Sequence, residues 1–134
     1  MLKQLSIYAE NKKGALQTMT NALYEADINI CGSVTNDGAE YGINRMVVSD
    51  PDKAKEVLTE RGYLCRFVDV LAVEIEDKPG ALNTLLTALL DSNVNVDYTY
   101  LSFNRASSTP VMILHTADPE EVEMCLKAKG FKMV

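Results

Sequence analysis

The sequence predicts an α+β fold made of two ferredoxin-like βαββαβ modules in tandem, with antiparallel sheets and helices on one face. The first observation behind this prediction is an internal repeat: at a shift of 66 residues (80 − 14), residues 10–30 lie over residues 76–96 without a gap, and nine positions are identical. The second observation is that both copies show strand-like and helix-like hydrophobic spacing in the same order. We therefore expect one module over residues 1–67 and another over residues 68–134.

The repeat continues beyond this segment. At the same shift, Met46 and Val48 fall on Met112 and Leu114. Two extra residues are then expected in the second copy, which raises the shift to 68 residues for the last part of the repeat. A solenoid needs at least about three repeats, so two copies indicate a duplicated small domain.

Hydrophobic periodicity and turn residues predict the elements of each copy. Asn36–Gly38 tolerate positive φ and predict a hairpin turn. Asp50 before Pro51 is typical of the first residues of a helix. The stretch 63–76 contains neither Gly nor Pro, so no flexible linker is expected between the copies. The predicted strands cover residues 2–9, 28–35, 41–49, 63–67, 70–76 and 131–134, and the predicted helices follow Gly14, Asp50, Gly80 and Asp118.

Composition narrows the classes of function. The chain has 13 basic and 19 acidic residues, which gives a net charge of −6. Nucleic acids and anionic membranes attract basic surfaces, so neither partner is expected. No apolar run approaches the ~18 residues of a membrane helix, and the N-terminus lacks a signal-peptide pattern, so we expect a cytoplasmic protein. The three cysteines lack C-x-x-C spacing and are expected to pack as small hydrophobic residues.

The repeated loop "ENKKGAL" at residues 10–16 and "EDKPGAL" at residues 76–82 is the candidate functional feature. Each copy joins the first strand to the first helix and places a glycine at the start of that helix. A helix N-terminus exposes unpaired N–H groups and the positive end of the helix dipole, which favour a small carboxylate. Asn29 and Asn95 occupy equivalent positions after the helix, where an amide could contact a ligand that carries both ammonium and carboxylate groups.

A strand, the loop D-x-P-G-A-L, an amphipathic helix and then "NVNV" resemble the ACT domain, a family of small regulatory modules that bind amino acids, often where two modules meet. The second copy fits this pattern closely, whereas the first has Lys13 in place of the proline. In serine-binding relatives a histidine lies near the end of the first strand, where this chain has Ala9 and Ile75. The resemblance implies ligand-binding residues at Asn11, Lys13, Gly14, Ala15, Leu16, Asn29, Ile30, Asp77, Pro79, Gly80, Ala81, Leu82, Asn95 and Val96.

Each of these residues also has a purely structural interpretation. Gly14 and Gly80 could serve only to fit a helix against a strand. Asn29 and Asn95 could end their helices in the left-handed conformation. Asp77 could simply stabilise the helix start. The functional hypothesis depends on these features occurring together at one end of a helix, twice.

No enzyme activity, cofactor or metal is expected. His115, the only histidine, falls on Ser49 in the repeat, and the sequence shows no nucleophile–base spacing, phosphate loop or metal-ligand cluster. A metal carrier would need paired cysteines, and an RNA-recognition module would need strand aromatics and a basic face.

Two hypotheses about function follow. The first is an allosteric amino-acid sensor without its own catalytic domain, which binds ligand at module interfaces through its strand–helix loops and regulates a partner enzyme in trans. The second is a structural or assembly module, or a trans-acting subunit, that has lost ligand binding. Exposed sheet edges invite pairing with a like edge, so a homodimer is expected in either case.

Overall fold

In the computed structural model, which describes residues 1–36 and 41–134, the chain has the α+β fold predicted from its sequence. The hairpin turn predicted at residues 36–38 lies outside the described residues, apart from Asn36. Among the described residues, no helix combines the length and the apolar character needed to cross a membrane. The strands are β1 (Leu2–Glu10), β2 (Ile30–Asn36), β3 (Tyr41–Val48), β4 (Leu64–Glu74), β5 (Tyr98–Asn104) and β6 (Thr109–His115), and the helices are α1 (Ala15–Glu25), α2 (Pro51–Glu60), α3 (Ala81–Asp91) and α4 (Pro119–Ala128).

The chain divides into two compact units. We call Lys3–Val68 the first unit, and Met1–Leu2 together with Asp69–Val134 the second unit. The prediction that residues 1–67 and 68–134 are two modules of the same family is not tested by this division.

In the first unit, β3 pairs antiparallel with both β1 and β2. Leu5 lies opposite Met46, so their side chains share one face of the sheet. Both helices contribute to the same core as these strand residues, which places α1 and α2 on one face. The core of this unit consists of Leu5, Ile7, Met19, Ala22, Leu23, Ile28, Met46, Ala54, Leu58 and Cys65.

The second unit repeats this arrangement. Its strand β6 pairs antiparallel with β4 and with β5. Helices α3 and α4 pack against the same face of these strands. The core consists of Leu71, Val73, Leu85, Leu89, Met112, Leu114, Val122 and Leu126.

The strand register shows where the two copies differ in length. Asn36 pairs with Ile43 across residues 37–42, whereas Ser102 pairs with Val111 across residues 103–110, which are two more. The extra residues therefore lie in the second hairpin, before β6, and the prediction that they follow this strand was wrong. Sequence similarity misled the alignment because a shift of two keeps each strand residue on the same face.

With the register known, the equivalences along the third strand of each copy change. In the first unit, Ile7 lies opposite Asn44, and in the second unit Val73 lies opposite Met112. Since Ile7 and Val73 are equivalent, Asn44 corresponds to Met112. By the same shift of 68 residues, Met46 corresponds to Leu114, Val48 to Thr116 and Val47 to His115, in place of the equivalences predicted above.

Two further predictions about strands need correction. The strands predicted at residues 63–67 and 70–76 form the single strand β4, because Val68 and Asp69 provide no residue that breaks an extended chain. The strand predicted at residues 131–134 is reduced to a bridge between Val73 and Met133.

The first strand is buried on both faces, although its alternation predicted burial on one. Gln4, Leu5, Ser6 and Ile7 are all buried. The side-chain amide of Gln4 donates to the Ser6 hydroxyl oxygen at 3.2 Å. A buried polar group is tolerated when it is hydrogen-bonded, so this pair allows polar residues on the second buried face.

Glu74, at the end of β4, contacts two other segments of the second unit, the end of β5 and the residues that follow α4. Its carboxylate accepts hydrogen bonds from Asn104 Nδ2 at 2.6 Å and from the Lys132 ammonium, whose Nζ lies 3.1 Å away. The hydrogen bond from Asn104 is the main cause that lowers the pKa of Glu74 below its ordinary value of 4.5, and Lys132 adds to it.

A Glu74→Gln variant is therefore expected to lower the stability of the protein at neutral pH. Because the pKa of Glu74 is lower in the folded state, its stabilising contribution is present above the unfolded-state pKa and is lost as the pH falls through the folded-state pKa. The difference from the wild type should shrink at acidic pH, as measured by denaturant midpoints at pH 7 and well below 4.5. Glu76→Gln is the control, since Glu76 is exposed and, among the described residues, forms an ion pair with Lys78 alone; an equal loss in both variants would contradict this role.

Candidate functional site

The repeated loops adopt the same backbone conformation in both units. Gly14 has φ 84° and Gly80 has φ 86°, and each is the N-cap residue of its helix. This left-handed conformation strains any residue with a Cβ atom, which explains the glycine at both positions. A Cβ atom at either position would have no other atom within 4 Å. The glycines are thus required by the backbone and also leave open space beside the helix start.

The N-cap residues of α1 and α3 are glycines, which have no side chain to cap the helix, and Asp77 makes no cap hydrogen bond with the described residues. The Ala15 N–H donates to the Lys12 carbonyl oxygen at 3.1 Å and the Ala81 N–H to the Lys78 carbonyl oxygen at 3.3 Å, so the N–H groups of the next two residues of each helix are those without an acceptor inside the helix. The hydroxyl group of Thr18 donates to the Gly14 carbonyl at 2.9 Å, and that of Thr84 donates to the Gly80 carbonyl at the same distance. These bonds satisfy the glycine carbonyl oxygens, whereas an anion at a helix start would bind N–H groups of the same turn.

A pocket of about 270 Å³ lies beside the loop of the first unit. It is bordered by the start of α1 and by the ends of β1, β2 and β3, all of which belong to this unit. Its volume is close to the lower limit for small-molecule sites, which suits a ligand of amino-acid size. The pocket is lined by Ala9, Glu10, Asn11, Lys12, Gly14, Ala15, Leu16, Gln17, Thr35, Asn36, Gly42 and Asn44.

Asn44 is the buried polar residue of this pocket. Only 4% of its surface is exposed, and its Nδ2 donates to the hydroxyl oxygens of Thr35 at 2.7 Å and Ser33 at 3.4 Å. Its Oδ1 is buried and has no hydrogen-bond partner among the described residues. A buried unpaired oxygen costs free energy, so the described part of the fold satisfies the donor of this amide and leaves its acceptor unsatisfied.

The equivalent positions of the second unit are apolar. Asn44 corresponds to Met112, Thr35 to Leu101 and Ala9 to Ile75. Met112 is 7% exposed and belongs to the core of that unit, and Ile75 packs against the same core. The two loops are alike, but the strand residues next to the loop are polar in the first unit and apolar in the second.

The lysines of the two loops have carboxylate partners in the loop itself. Lys12 Nζ lies 2.9 Å from Glu10, and Lys78 Nζ lies 2.6 Å from Glu76. The hydrogen bond and the charge of Lys12 lower the pKa of Glu10, so this pair is ionised at neutral pH. Lys13 borders a second cleft of about 450 Å³ on the other side of the first loop.

Asn29 and Asn95 lie at the far ends of their helices. Helix α1 has 11 residues, or about 16 Å, so Asn29 and Gly14 of one unit do not meet. The left-handed residues that end these helices are Asp27 and Asn93, so the interpretation of the two asparagines as helix terminators was wrong. Their amides donate to residues two positions later: Asn29 to the Cys31 sulfur at 3.9 Å, and Asn95 to the Asp97 carboxylate at 3.1 Å.

The structure thus brings together only part of the predicted set. Four of its residues border one pocket, namely Asn11, Gly14, Ala15 and Leu16. Ile30 and Val96 pack against the cores of their units. Ala81 borders a cleft of about 250 Å³ in the second unit. For the loop residues Asp77, Pro79, Gly80 and Leu82, ligand binding stays a prediction.

Asn44, Thr35 and Gly42 were missed by the analysis of the sequence. They lie on strands far from the loop in sequence, and only the register shows that they meet it. The available signal was a polar residue, Asn44, on the alternating side of the strand that otherwise carries the core residues Met46 and Val48. Among the described residues, no group of three or more His, Cys, Asp or Glu side chains is arranged to hold a metal ion.

Comparisons with known proteins agree with this architecture. A family model described as an ACT domain pair matches residues 1–134. The solved structure of a protein from Bacteroides thetaiotaomicron is 31% identical, with a TM-score of 0.90 over 99% of this chain and 91% of that chain. No curated protein matches the sequence.

More distant structures share the fold. The ligand-free regulatory subunit of aspartate kinase from Thermus thermophilus is 16% identical, with a TM-score of 0.67, and the match covers 96% of this chain and 91% of that one. The corresponding subunit from Thermus flavus is 18% identical, with a TM-score of 0.61 and the same coverage of both chains.

Proposed function

Because this chain belongs to the ACT domain family, as an ACT domain pair over residues 1–134, we propose that it binds a free amino acid or a similar small carboxylate and regulates a partner enzyme rather than catalysing a reaction. The single observation that carries this proposal is the pocket of the first unit, which is lined both by the start of α1 and by the buried amide residue Asn44. Two proteins of the same fold are regulatory subunits of aspartate kinase, which supports a regulatory role.

We infer that each unit is one ferredoxin-like ACT module, with limits near residues 1–67 and 68–134. The matching strand pairings and the single helix-covered face of each unit support this inference. A homodimer, ligand binding at module interfaces and a cytoplasmic location remain predictions from the sequence.

The ligand is expected to bind in two parts. Its carboxylate accepts from the N–H groups of the first turn of α1, including those of Leu16 and Gln17, which have no acceptor within the helix. A donor group of the ligand, such as an ammonium or an amide, reaches the Oδ1 atom of Asn44. A few charge-assisted hydrogen bonds at about 1.5–3 kcal/mol each, less the cost of association, give a dissociation constant between about 1 mM and 1 μM.

The second loop is expected to bind this ligand weakly or not at all. Its left-handed N-cap glycine matches that of the first unit, but Met112, Leu101 and Ile75 take the positions of the polar and small residues that line the first pocket. An apolar floor cannot pair with the polar end of an amino acid, so desolvation of that end is not compensated. The hypothesis of a module that has lost ligand binding is thus favoured for the second copy alone.

The experiment is a thermal-shift screen of amino acids and 2-oxo acids against the wild type, Gly14→Asp and Gly80→Asp. Both variants place the same acidic side chain at a left-handed glycine with open space around it, so they suffer similar backbone strain. The wild type and Gly80→Asp are expected to be stabilised by the same ligand, and Gly14→Asp is not. Absence of stabilisation across the panel would contradict ligand binding, and loss only in Gly80→Asp would place the site in the second unit.

A further inference from the structure

A separate pocket of about 480 Å³ lies in the second unit, at the end of α3 and the start of α4. It is distant from the Gly80 loop, because the 11 residues of α3 span about 16 Å. Its lining includes Ser92, Thr116, Asp118, Glu121 and Cys125.

The first unit places a lysine at the equivalent position. There, Lys53 Nζ donates to the carbonyl oxygen of Ala26, the C-cap residue of α1, at 2.9 Å. A cation is favoured at this end of a helix because the last carbonyl groups are unpaired and carry the negative end of the dipole. In the second unit Ser92 takes the place of Ala26, and Glu121 takes the place of Lys53. The cation has therefore been replaced by a carboxylate.

The acidic residue at the start of α4 is also uncommitted. In the first unit, Asp50 caps α2 by accepting the Lys53 N–H at 3.1 Å. Its equivalent, Asp118, makes no side-chain cap bond. Within the part of the chain that the structure describes, the carboxylates of Asp118 and Glu121 have no hydrogen-bond or ion-pair partner. The pocket thus holds two free acceptors where the first unit has an acceptor and its donor.

Thr116 provides an independent sign of a missing donor. It is 2% exposed, it lines the pocket, and its hydroxyl oxygen has no partner among the described residues. Its equivalent in the first unit is Val48, which has no polar atom in its side chain. A buried hydroxyl without a partner is costly, so the change from valine to threonine lacks a structural benefit.

The third carboxylate of the pocket is already engaged. Asp97 accepts from Asn95 at 3.1 Å, and its other oxygen lies 2.8 Å from Nδ1 of His115. The ring of His115 also stacks on Tyr98, with centroids 4.9 Å apart. Both carboxylate oxygens of Asp97 are therefore engaged, and the free carboxylate acceptors of the pocket are those of Asp118 and Glu121.

We propose that this pocket binds the ammonium group of a small organic amine. An ammonium group has three donors and no acceptor, so it can serve two carboxylates and the Thr116 hydroxyl at once. It would stand near the end of α3 as the Lys53 ammonium stands at the end of α1. The size of the pocket leaves room for a short alkyl chain. This site is distinct from the carboxylate site of the first unit, and the two are expected to bind independently.

The test uses n-butylammonium chloride as the probe, in an NMR titration of the full chain. Saturable shifts are expected at the amides of Ser92, Thr116 and Glu121. 1-Butanol and sodium chloride at matched concentrations should not reproduce them, since the first lacks the charge and the second lacks the alkyl chain. Shifts of the same size with either compound would overturn the proposal, as would tighter saturation by calcium chloride, which would indicate a metal-ion site.

The decisive variant is Glu121→Lys, which installs the lysine of the first unit. Its ammonium is expected to occupy the site, so the affinity for the probe should fall at least about tenfold, the loss of roughly one charge-assisted hydrogen bond. Glu120→Lys changes the charge equally outside this pocket and should bind the probe within about twofold of the wild type once screening is considered. Equal affinity in both lysine variants would refute the site.

Two conservative variants keep the proposal testable if Glu121→Lys alters the fold. Glu121→Gln keeps the size of the side chain and removes its charge, and Thr116→Val restores the residue of the first unit. Each is expected to weaken binding of the probe severalfold while the far-ultraviolet spectrum stays unchanged. Wild-type affinity in both variants would overturn the assignment. The response of the first unit to amino acids should be the same in every variant, which separates this test from that of the proposed function.

Discussion

An Asn44→Leu variant is expected to lose at least tenfold in affinity for the ligand of the first unit, or about 1.4 kcal/mol of binding free energy. Leucine has nearly the same shape as asparagine but cannot accept a hydrogen bond from the ligand. The unliganded protein should change little in stability, because removal of a buried oxygen that has no partner in the described part of the chain gains about 1–3 kcal/mol and offsets the loss of the two hydrogen bonds to Thr35 and Ser33, at about 0.5–1.5 kcal/mol each.

A large loss of affinity without a comparable loss of stability distinguishes a binding residue from a structural one. Calorimetry measures the affinity, and thermal unfolding without ligand measures the stability. Ser33→Ala is the control, because it removes only the longer of the two hydrogen bonds from Asn44 and should change neither quantity appreciably. If Asn44→Leu binds the ligand as tightly as the wild type, Asn44 has no part in recognition.

The second large effect is expected in the core of the second unit. Leu89 is 1% exposed, whereas its neighbour Leu90 is 75% exposed. Replacing Leu89 by alanine should lower the free energy of unfolding by about 2–5 kcal/mol, since it removes buried methyl groups and leaves a cavity. The same change at Leu90 should stay within about 0.5 kcal/mol of the wild type.

Denaturant midpoints of the two variants measure this difference. Their adjacent positions on α3 make helix propensity and residue type identical, so burial is the only variable. Similar losses in Leu89→Ala and Leu90→Ala would mean that the exposed face of α3 is covered in solution, as in the expected homodimer. A small loss in both would contradict the core assignment.

Much of the fold could be predicted because each sequence pattern typical of a strand or a helix occurs twice, once in each copy of the repeat. The spacing of Met19 and Leu23 predicted α1, and the pair Asp50–Pro51 predicted the start of α2, both of which are observed. The limits of strands were less predictable: β2 begins at Ile30, two residues later than expected, and the irregular pairing between Ile30 and Gly32 depends on the partner strand and not on the local sequence.

The candidate site could be predicted only in its local part. The glycine loop is a continuous segment, and its conformation follows from Gly14 and the helix that it begins. The floor of the pocket depends on which residues of β2 and β3 lie opposite one another, and pairing between strands is not encoded by any single segment. Asn44 and Thr35 could therefore be assigned to the site only once the register was known.

The hairpin that is two residues longer in the second unit limits how the two halves of the gene could have diverged. A strand alternates its side chains with a period of two, so an insertion of two residues keeps every later residue of β6 on its original face. A slip of one residue in the pairing of β6 would instead have turned Met112 and Leu114 away from the core. Changes that lengthen or shorten the paired part of this hairpin should thus come in steps of two residues, whereas the turn itself can absorb a change of one.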